Sequence, residues 1–94
     1  QDKSTIRELG KKSLEFTRAL VEGKKVRLEF DVEKKDVYGR VLAYVFLEDG
    51  TFVNAQIVEK GYASLMTYPP NVKYADMFLE LYRQARQNRR GLWK

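Results

Sequence analysis

At 94 residues, 44% of them hydrophobic and 13% aromatic, the chain has the make-up of one packed domain with a small, marginal core rather than of a disordered segment. Eighteen Lys and Arg against 13 Asp and Glu give a formal charge of +5, which favours polyanionic partners such as nucleic acid or an anionic membrane surface. The absence of cysteine and histidine excludes disulfides, thiolate and imidazole catalysis and Cys- or His-ligated metal within this chain, so any catalysis rests on carboxylates, Arg, Lys or Tyr and any metal is a hard cation held by oxygen.

Along the chain, Leu9, Ser13, Phe16, Thr17, Leu20 and Val21 recur on one face at helical spacing, and Gly23 follows as a C-cap, which predicts a helix over about 11–22. Residues 25–33 then alternate, with Val26, Leu28, Phe30 and Val32 on one side and Lys25, Arg27, Glu29, Asp31 and Glu33 on the other, as in a half-buried antiparallel strand. Lys34-Lys35-Asp36 makes a charged turn, and Tyr38-Gly39 leads into a second strand over 40–46, rich in branched and aromatic residues. Glu48-Asp49-Gly50-Thr51 has the composition of a hairpin turn.

Val53, Ile57 and Val58 at helical spacing, stopped by Gly61, predict a short helix over 52–60, followed by an apolar stretch over 62–65. Tyr68-Pro69-Pro70-Asn71 is a loop, because consecutive prolines continue neither a helix nor a central strand. A last helix over 74–88 is expected to bury Met77, Phe78, Leu81 and Ala85, with Gly91-Leu92-Trp93 folding back as an anchor. Arg83, Arg86, Arg89 and Arg90 lie on or beyond its exposed side, either as a solvated face or as a track for a phosphate backbone. Trp93, Phe16, Phe30, Leu42 and Leu81 are expected in the core, and Asn54 and Asp31 as turn or cap residues with structural hydrogen bonds. No apolar run approaches the roughly 20 residues that span a bilayer.

With no repeat and no linker, residues 1–94 are expected to form a single α+β unit. Two long strands and one short one cannot close a barrel, and an alternating strand at an open edge is an aggregation hazard. The edge is therefore expected to be covered, by further strands or by self-association, and the chain on its own to fold poorly.

The ordered set of Phe16-Thr17, Leu20-Val21-Glu22, Val26 to Asp31, Asp36-Val37-Tyr38-Gly39-Arg40, Leu42-Ala43-Tyr44, Asp49-Gly50, Val53-Asn54, Gly61, Ala63, Tyr68, Pro70-Asn71 and Leu92-Trp93 resembles the staphylococcal-nuclease-like (thermonuclease) family over nearly the whole chain. The resemblance implies an OB-type five-stranded barrel with three helices, of which this chain carries the C-terminal portion and lacks the first three strands, about 50 residues. It also implies Ca²⁺-dependent hydrolysis of phosphodiester bonds in DNA and RNA, and a secreted or cell-surface bacterial protein. The family's metal-binding and general-base carboxylates belong to that absent portion, including an Asp-Thr-Pro-Glu segment. Neither Asp2 nor Glu8 matches them, so no metal ligand is assigned here and the isolated chain is expected to be inactive.

By the same resemblance Arg40 is the catalytic arginine, a permanently charged fork suited to the extra negative charge of a five-coordinate phosphate. Tyr38 and Tyr68 are the implied substrate-binding aromatics, flanking a bound nucleotide and tolerant of any base. Between Asp36 and Tyr38 staphylococcal nuclease has a lysine that reaches the terminal phosphate; here the residue is Val37, and Lys35 is the candidate substitute. Thr67 stands near the family's second loop aromatic. The rival readings are a non-catalytic nuclease-like module that binds nucleic acid or protein, which retention of Arg40 with Tyr38 opposes, and an assembly piece pairing its open edges.

Overall fold

A computed structural model describes residues 3–63 and 67–94, with the side chains of residues 3–7 and of Leu9 outside the description. The expected place of Leu9 on a helix face, the end of the apolar stretch at Leu65, and Asp2 lie outside the described residues. The order of elements is α1 (Lys3–Val21), β1 (Val26–Glu29), β2 (Tyr44–Leu47), α2 (Val53–Glu59), α3 (Ala75–Gln87) and a 3₁₀ turn at Gly91–Trp93. The fold is thus α+β, with three helices and a two-stranded antiparallel sheet in the register Val26↔Leu47 to Glu29↔Tyr44.

Helix α1 begins eight residues before the expected start. Apolar periodicity marks only the stretch that packs, and the preceding turns, with Ile6 and Leu9 as their apolar residues, carry too short a pattern to signal a helix. Its second half meets the turn after α2: the Phe16 and Tyr62 rings lie 5.1 Å apart, and Ser13 Oγ donates to the Tyr62 carbonyl at 3.1 Å. Gly23, at φ +72°, closes the helix as expected.

The core sits between β2, α2 and α3. Val58 and Phe78 are fully enclosed, and Tyr44, Leu47, Val53, Ala55 and Ala85 are buried. Around Phe78 the rings of Tyr44, Phe52 and Tyr74 interlock, Tyr44 meeting Tyr74 edge-on at 4.6 Å, while Phe46 stacks on Phe52 at 4.5 Å. Edge-on and offset pairs of this kind add about 0.5–1.5 kcal/mol each beyond the area they bury. The turn after β2 folds the chain back so that Phe52 bridges Phe46, as the Asp49-Gly50 pair foretells.

Two residues expected in the core lie outside it. Met77 is 46% exposed, because the buried stripe of α3 runs through Phe78, Leu81, Tyr82 and Ala85 and Met77 lies beyond its edge, about 90° from its middle. Phe30 is 40% exposed, just past the end of β1 on its apolar side, with the Lys34 ammonium 5.4 Å from its ring. Phe16, Leu42, Leu81 and Trp93 are half-buried. The apolar side of β1 is exposed as well, Val26 and Leu28 on the strand and Val32 beyond it. Its polar side is the packed one. Glu29 accepts from Tyr74 Oη at 2.6 Å and pairs with Lys73 Nζ at 3.0 Å, and the Arg27 guanidinium lies over the Phe46 ring at 4.6 Å.

At the C-terminus the chain after α3 turns back over Gly61. Leu92 N donates to the Gly61 carbonyl at 2.7 Å, and the Trp93 ring stands edge-on to Tyr82 at 5.3 Å. Gly61 and Gly91 approach backbone to backbone, so that a Cβ on either would collide with main-chain atoms of the other strand of the crossing.

Candidate functional site

The long connection between β1 and β2, residues 30–43, carries most of the residues that the sequence marks for function, and three side chains hold it. Asp31 Oδ2 accepts from Tyr44 Oη at 2.9 Å and from Lys73 N at 3.0 Å, tying the exit of β1 to β2 and to the entry of α3. Asn71, buried at the end of the Tyr68-Pro69-Pro70 turn, accepts from Glu33 N at 2.8 Å and donates to the Glu33 carbonyl at 2.9 Å, pairing with the loop as a strand would. Asn54 does the same for the far end, accepting from Val45 N at 2.8 Å and donating to the Ala43 carbonyl at 3.2 Å. Asp31 and Asn54 therefore make the expected structural hydrogen bonds, but across long stretches of chain rather than within a local turn.

At the tip the chain doubles back, Lys35 bridging Val41, with Asp36 N donating to the Arg40 carbonyl at 2.9 Å. Asp36 organises the turn. Its Oδ1 accepts both Tyr38 N and Arg40 N at 2.9 Å, an Asx-type turn that needs a carboxylate or amide two and four residues ahead of those N–H groups. Gly39 stands at φ +80° within it, a region in which a side chain is strained. Asp36 Oδ2 takes Arg40 Nε–H at 2.6 Å. The Arg40 guanidinium also rests 5.3 Å from the centre of the Tyr38 ring, while the side chain as a whole is 74% exposed. With Nε–H engaged and no hydrogen bond from its Nη groups among the described residues, Arg40 presents its outer fork to solvent on a braced stem.

The functional part of Asp36 was legible only as a charge in a turn; its spacing of four from Arg40 is the signal that could have found it.

A cleft of about 260 Å³ opens beside this fork, lined by Arg40, Asp36, Asp31, Tyr44, Tyr68 and Asn71 among others. The structure thus brings together Arg40 and Tyr68 in one cleft and Tyr38 directly against Arg40. Tyr38, 80% exposed, and Lys35, also exposed, stand on the tip outside the cleft lining.

The carboxylates near the cleft are all held as acceptors. Partial desolvation pushes the Asp36 carboxyl up, but the hydrogen bonds from Arg40 N, the Arg40 guanidinium and Tyr38 N outweigh it and leave the group below the usual range. The Lys73 N–H, with the Tyr44 hydroxyl, lowers Asp31, and the Tyr74 hydroxyl, with Lys73, lowers Glu29. Conversely, burial and the bond to Asp31 push Tyr44 up to about 12, and the bond to Glu29 raises Tyr74. Among the described residues no three acidic side chains converge in a way that could hold a metal ion. Asp31 and Asp36 are engaged with Tyr44, Lys73 and Arg40, so the residues present do not fit a Ca²⁺ site.

These shifts predict how stability depends on pH. A carboxylate whose folded pKa is lowered contributes stability above its unfolded pKa and loses it as pH falls, so Glu29, Asp31, Asp36 and Asp49 produce a decline below about pH 4. Tyr44 stays protonated in the fold while the unfolded chain begins to ionise near pH 10, so stability falls between about pH 10 and 12, reinforced by the raised Tyr74 and Lys73. Urea midpoints measured from pH 3 to 12 are expected to show both declines, with Tyr44→Phe flattening the alkaline one. An alkaline limb unchanged in that variant would assign it to other groups.

A family model described as staphylococcal nuclease homologue matches residues 1–94. The chain is 37% identical over 89 residues to a thermonuclease of Staphylococcus intermedius, covering 95% of this chain and 52% of that protein. It is 36% identical over 88 residues to the thermonuclease of Staphylococcus hyicus, covering 94% and 52%. It is also 34% identical over 92 residues to the endonuclease YncB of Bacillus subtilis (strain 168), covering 96% and 43%. The chain spans about half the length of the curated relatives it matches.

Proposed function

We propose, starting from the fact that this chain belongs to the staphylococcal nuclease family, that it is part of a Ca²⁺-dependent phosphodiesterase domain acting on DNA and RNA. One observation carries the reading above the others: Arg40 is exposed at a cleft with its Nε–H fixed by Asp36, so that the two Nη groups form a preorganised fork at the mouth of a site. Arg40 would bind two oxygens of the scissile phosphate and hold the charge that grows on them as phosphorus becomes five-coordinate. Asp36 is a positioning residue, and its carboxylate keeps the guanidinium from wandering over the tip.

Tyr38, stacked on Arg40, and Tyr68, across the cleft, are the aromatic surfaces against which a nucleotide would lie, and Lys35 is placed to meet an outlying phosphate. When bound, Ca²⁺ would supply polarisation of a phosphate oxygen; its ligands and the water-activating carboxylate are proposed to lie outside the described residues. The exposed apolar side of β1 supports the same reading, because Val26 and Leu28, with Phe30 and Val32 just beyond the strand, would be the inner face of an OB-type barrel once three further strands supplied the facing layer.

The rival is a nucleic-acid-binding module without catalysis, and metal removal separates the two. The full-length protein is expected to cleave both single-stranded DNA and RNA with Ca²⁺ and to lose more than about 10²-fold of that rate under a chelator, with oligonucleotide binding weakened far less. Oligonucleotide binding with no cleavage under either condition would establish the binding module instead.

A further inference from the structure

All of the chain's excess charge lies in its last twelve residues: Arg83 to Lys94 hold five cations and no acidic side chain, whereas the other 82 residues hold 13 basic and 13 acidic ones. The fold places this segment on one end of α3 and the turn after it. None of the ion pairs among the described residues involves it, and the nearest acidic residue of α3, Glu80, takes a hydrogen bond from Gln84. Arg90 is half-buried and structural, its Nη1 donating to the Glu59 carbonyl at 3.1 Å. The others face solvent. Arg86 rests against two rings, 5.6 Å from the centre of Tyr82 and 5.2 Å from that of Trp93, with Nη1 donating to Tyr82 Oη at 3.1 Å. Arg89 follows α3 at φ +50°, a left-handed position where Gly or Asn is usual and an arginine is strained.

We propose that Arg83, Arg86, Arg89 and Lys94 form a second nucleic-acid contact that grips the phosphate backbone of the bound strand away from the Arg40 cleft. It takes its ligand class from the nuclease reading above. Charge complementarity selects a polyanion, and the braced, bidentate guanidinium of Arg86 suits a phosphodiester. A lipid surface fits less well, since none of the exposed large hydrophobic side chains among the described residues lies in this segment and an interfacial helix needs an apolar face to insert.

The entry of α3 adjoins the cleft through Asn71 and Lys73, and its 13 residues extend about 20 Å, so a strand reaching from cleft to cluster is up to about six nucleotides long at the roughly 3.4 Å rise of a stacked strand and shorter when extended. The second contact therefore acts on long substrates and not on dinucleotides.

The test is fluorescence anisotropy of the full-length protein with labelled oligothymidylates of 12 and 2 nucleotides, in chelator so that no hydrolysis intervenes, across a salt series. Arg83→Gln combined with Arg89→Gly is expected to weaken 12-mer binding about 10-fold at low salt and to flatten the log–log salt slope by about 1.4, two contacts at about 0.7 each, with 2-mer binding unchanged. The same loss of charge at two exposed lysines of α1, Lys11→Gln with Lys12→Gln, is expected to change that slope much less. Arg89→Gly alone is expected to raise the melting temperature while still weakening the 12-mer, which no damage to the fold would do.

Equal effects from the two pairs of substitutions would reduce the cluster to net charge and overturn the proposal, as would unchanged 12-mer binding. Loss of binding to phosphatidylserine vesicles with the 12-mer retained would assign the surface to a membrane. Turnover of the Arg40 variants tests the nuclease reading separately, so either can fail alone.

Discussion

Replacing Arg40 by alanine in the full-length protein with Ca²⁺ is expected to lower turnover about 10²- to 10³-fold, because a preorganised charge aimed at the transition state contributes about 3–4 kcal/mol. Substrate binding should weaken much less, since the ground-state phosphodiester carries one charge fewer than the five-coordinate form. The brace explains why lysine is a poor replacement. Arg40 Nε–H is bound to Asp36 at 2.6 Å while its fork remains exposed, and an ammonium group cannot both hold Asp36 and span two phosphate oxygens. Arg40→Lys should recover little of the rate. Steady-state kinetics on single-stranded DNA decides the matter: weakened binding with turnover unchanged would make Arg40 a docking contact, and no change in either would remove the catalytic assignment.

The largest loss of stability is expected from Gly61→Ala, about 2–5 kcal/mol out of the roughly 5–14 available to a domain of this size. Two costs combine. Gly61 stands at φ +80°, where a Cβ costs about 1–2 kcal/mol, and the added methyl would drive into the Arg90 carbonyl. That neighbour is backbone, held by the Leu92 N–H bond to the Gly61 carbonyl and by Trp93 against Tyr82, so relief requires the whole C-terminal turn to lift, with overpacking costs of about 1–3 kcal/mol or more. Gly10 offers the contrast: within α1, with open space around its would-be Cβ, Gly10→Ala should stabilise by about 0.5–1 kcal/mol. Denaturant midpoints of the two variants should move in opposite directions, and a neutral Gly61→Ala would show that the C-terminal turn is not held at this crossing.

Much of the fold was legible wherever one local pattern suffices. The helix ends at Gly23 and Gly61, the Asp49-Gly50 turn and the Ala75–Gln87 helix follow from φ-permissive glycines and 3.6-residue periodicity, which neighbouring residues settle among themselves. Burial was less legible. Alternation along 25–33 separates two faces but cannot say which is covered, and it is Glu29 and Asp31, not Phe30, that meet Tyr74, Tyr44 and Lys73. Met77 shares an apolar pattern with Phe78, Leu81 and Ala85, but the width of the buried stripe is defined only by what packs on it, and Met77 falls outside.

For the site, the order of residue types from Asp36 to Arg40 by itself determined the tip: an Asx turn through Asp36, a left-handed glycine, and an arginine four residues from the carboxylate that braces it. Everything in that turn lies within five residues, so the chain need only satisfy its own N–H groups. What faces the arginine was decided by tertiary structure alone. Tyr68 reaches the Arg40 cleft because Asn71 clamps the Glu33 backbone 38 residues away, and Asp31 is a strut rather than a ligand because folding brings Lys73 N and Tyr44 Oη to it. Hydrogen bonds between groups so distant in sequence depend on the packing that brings their segments together, and no local spacing encodes their partners.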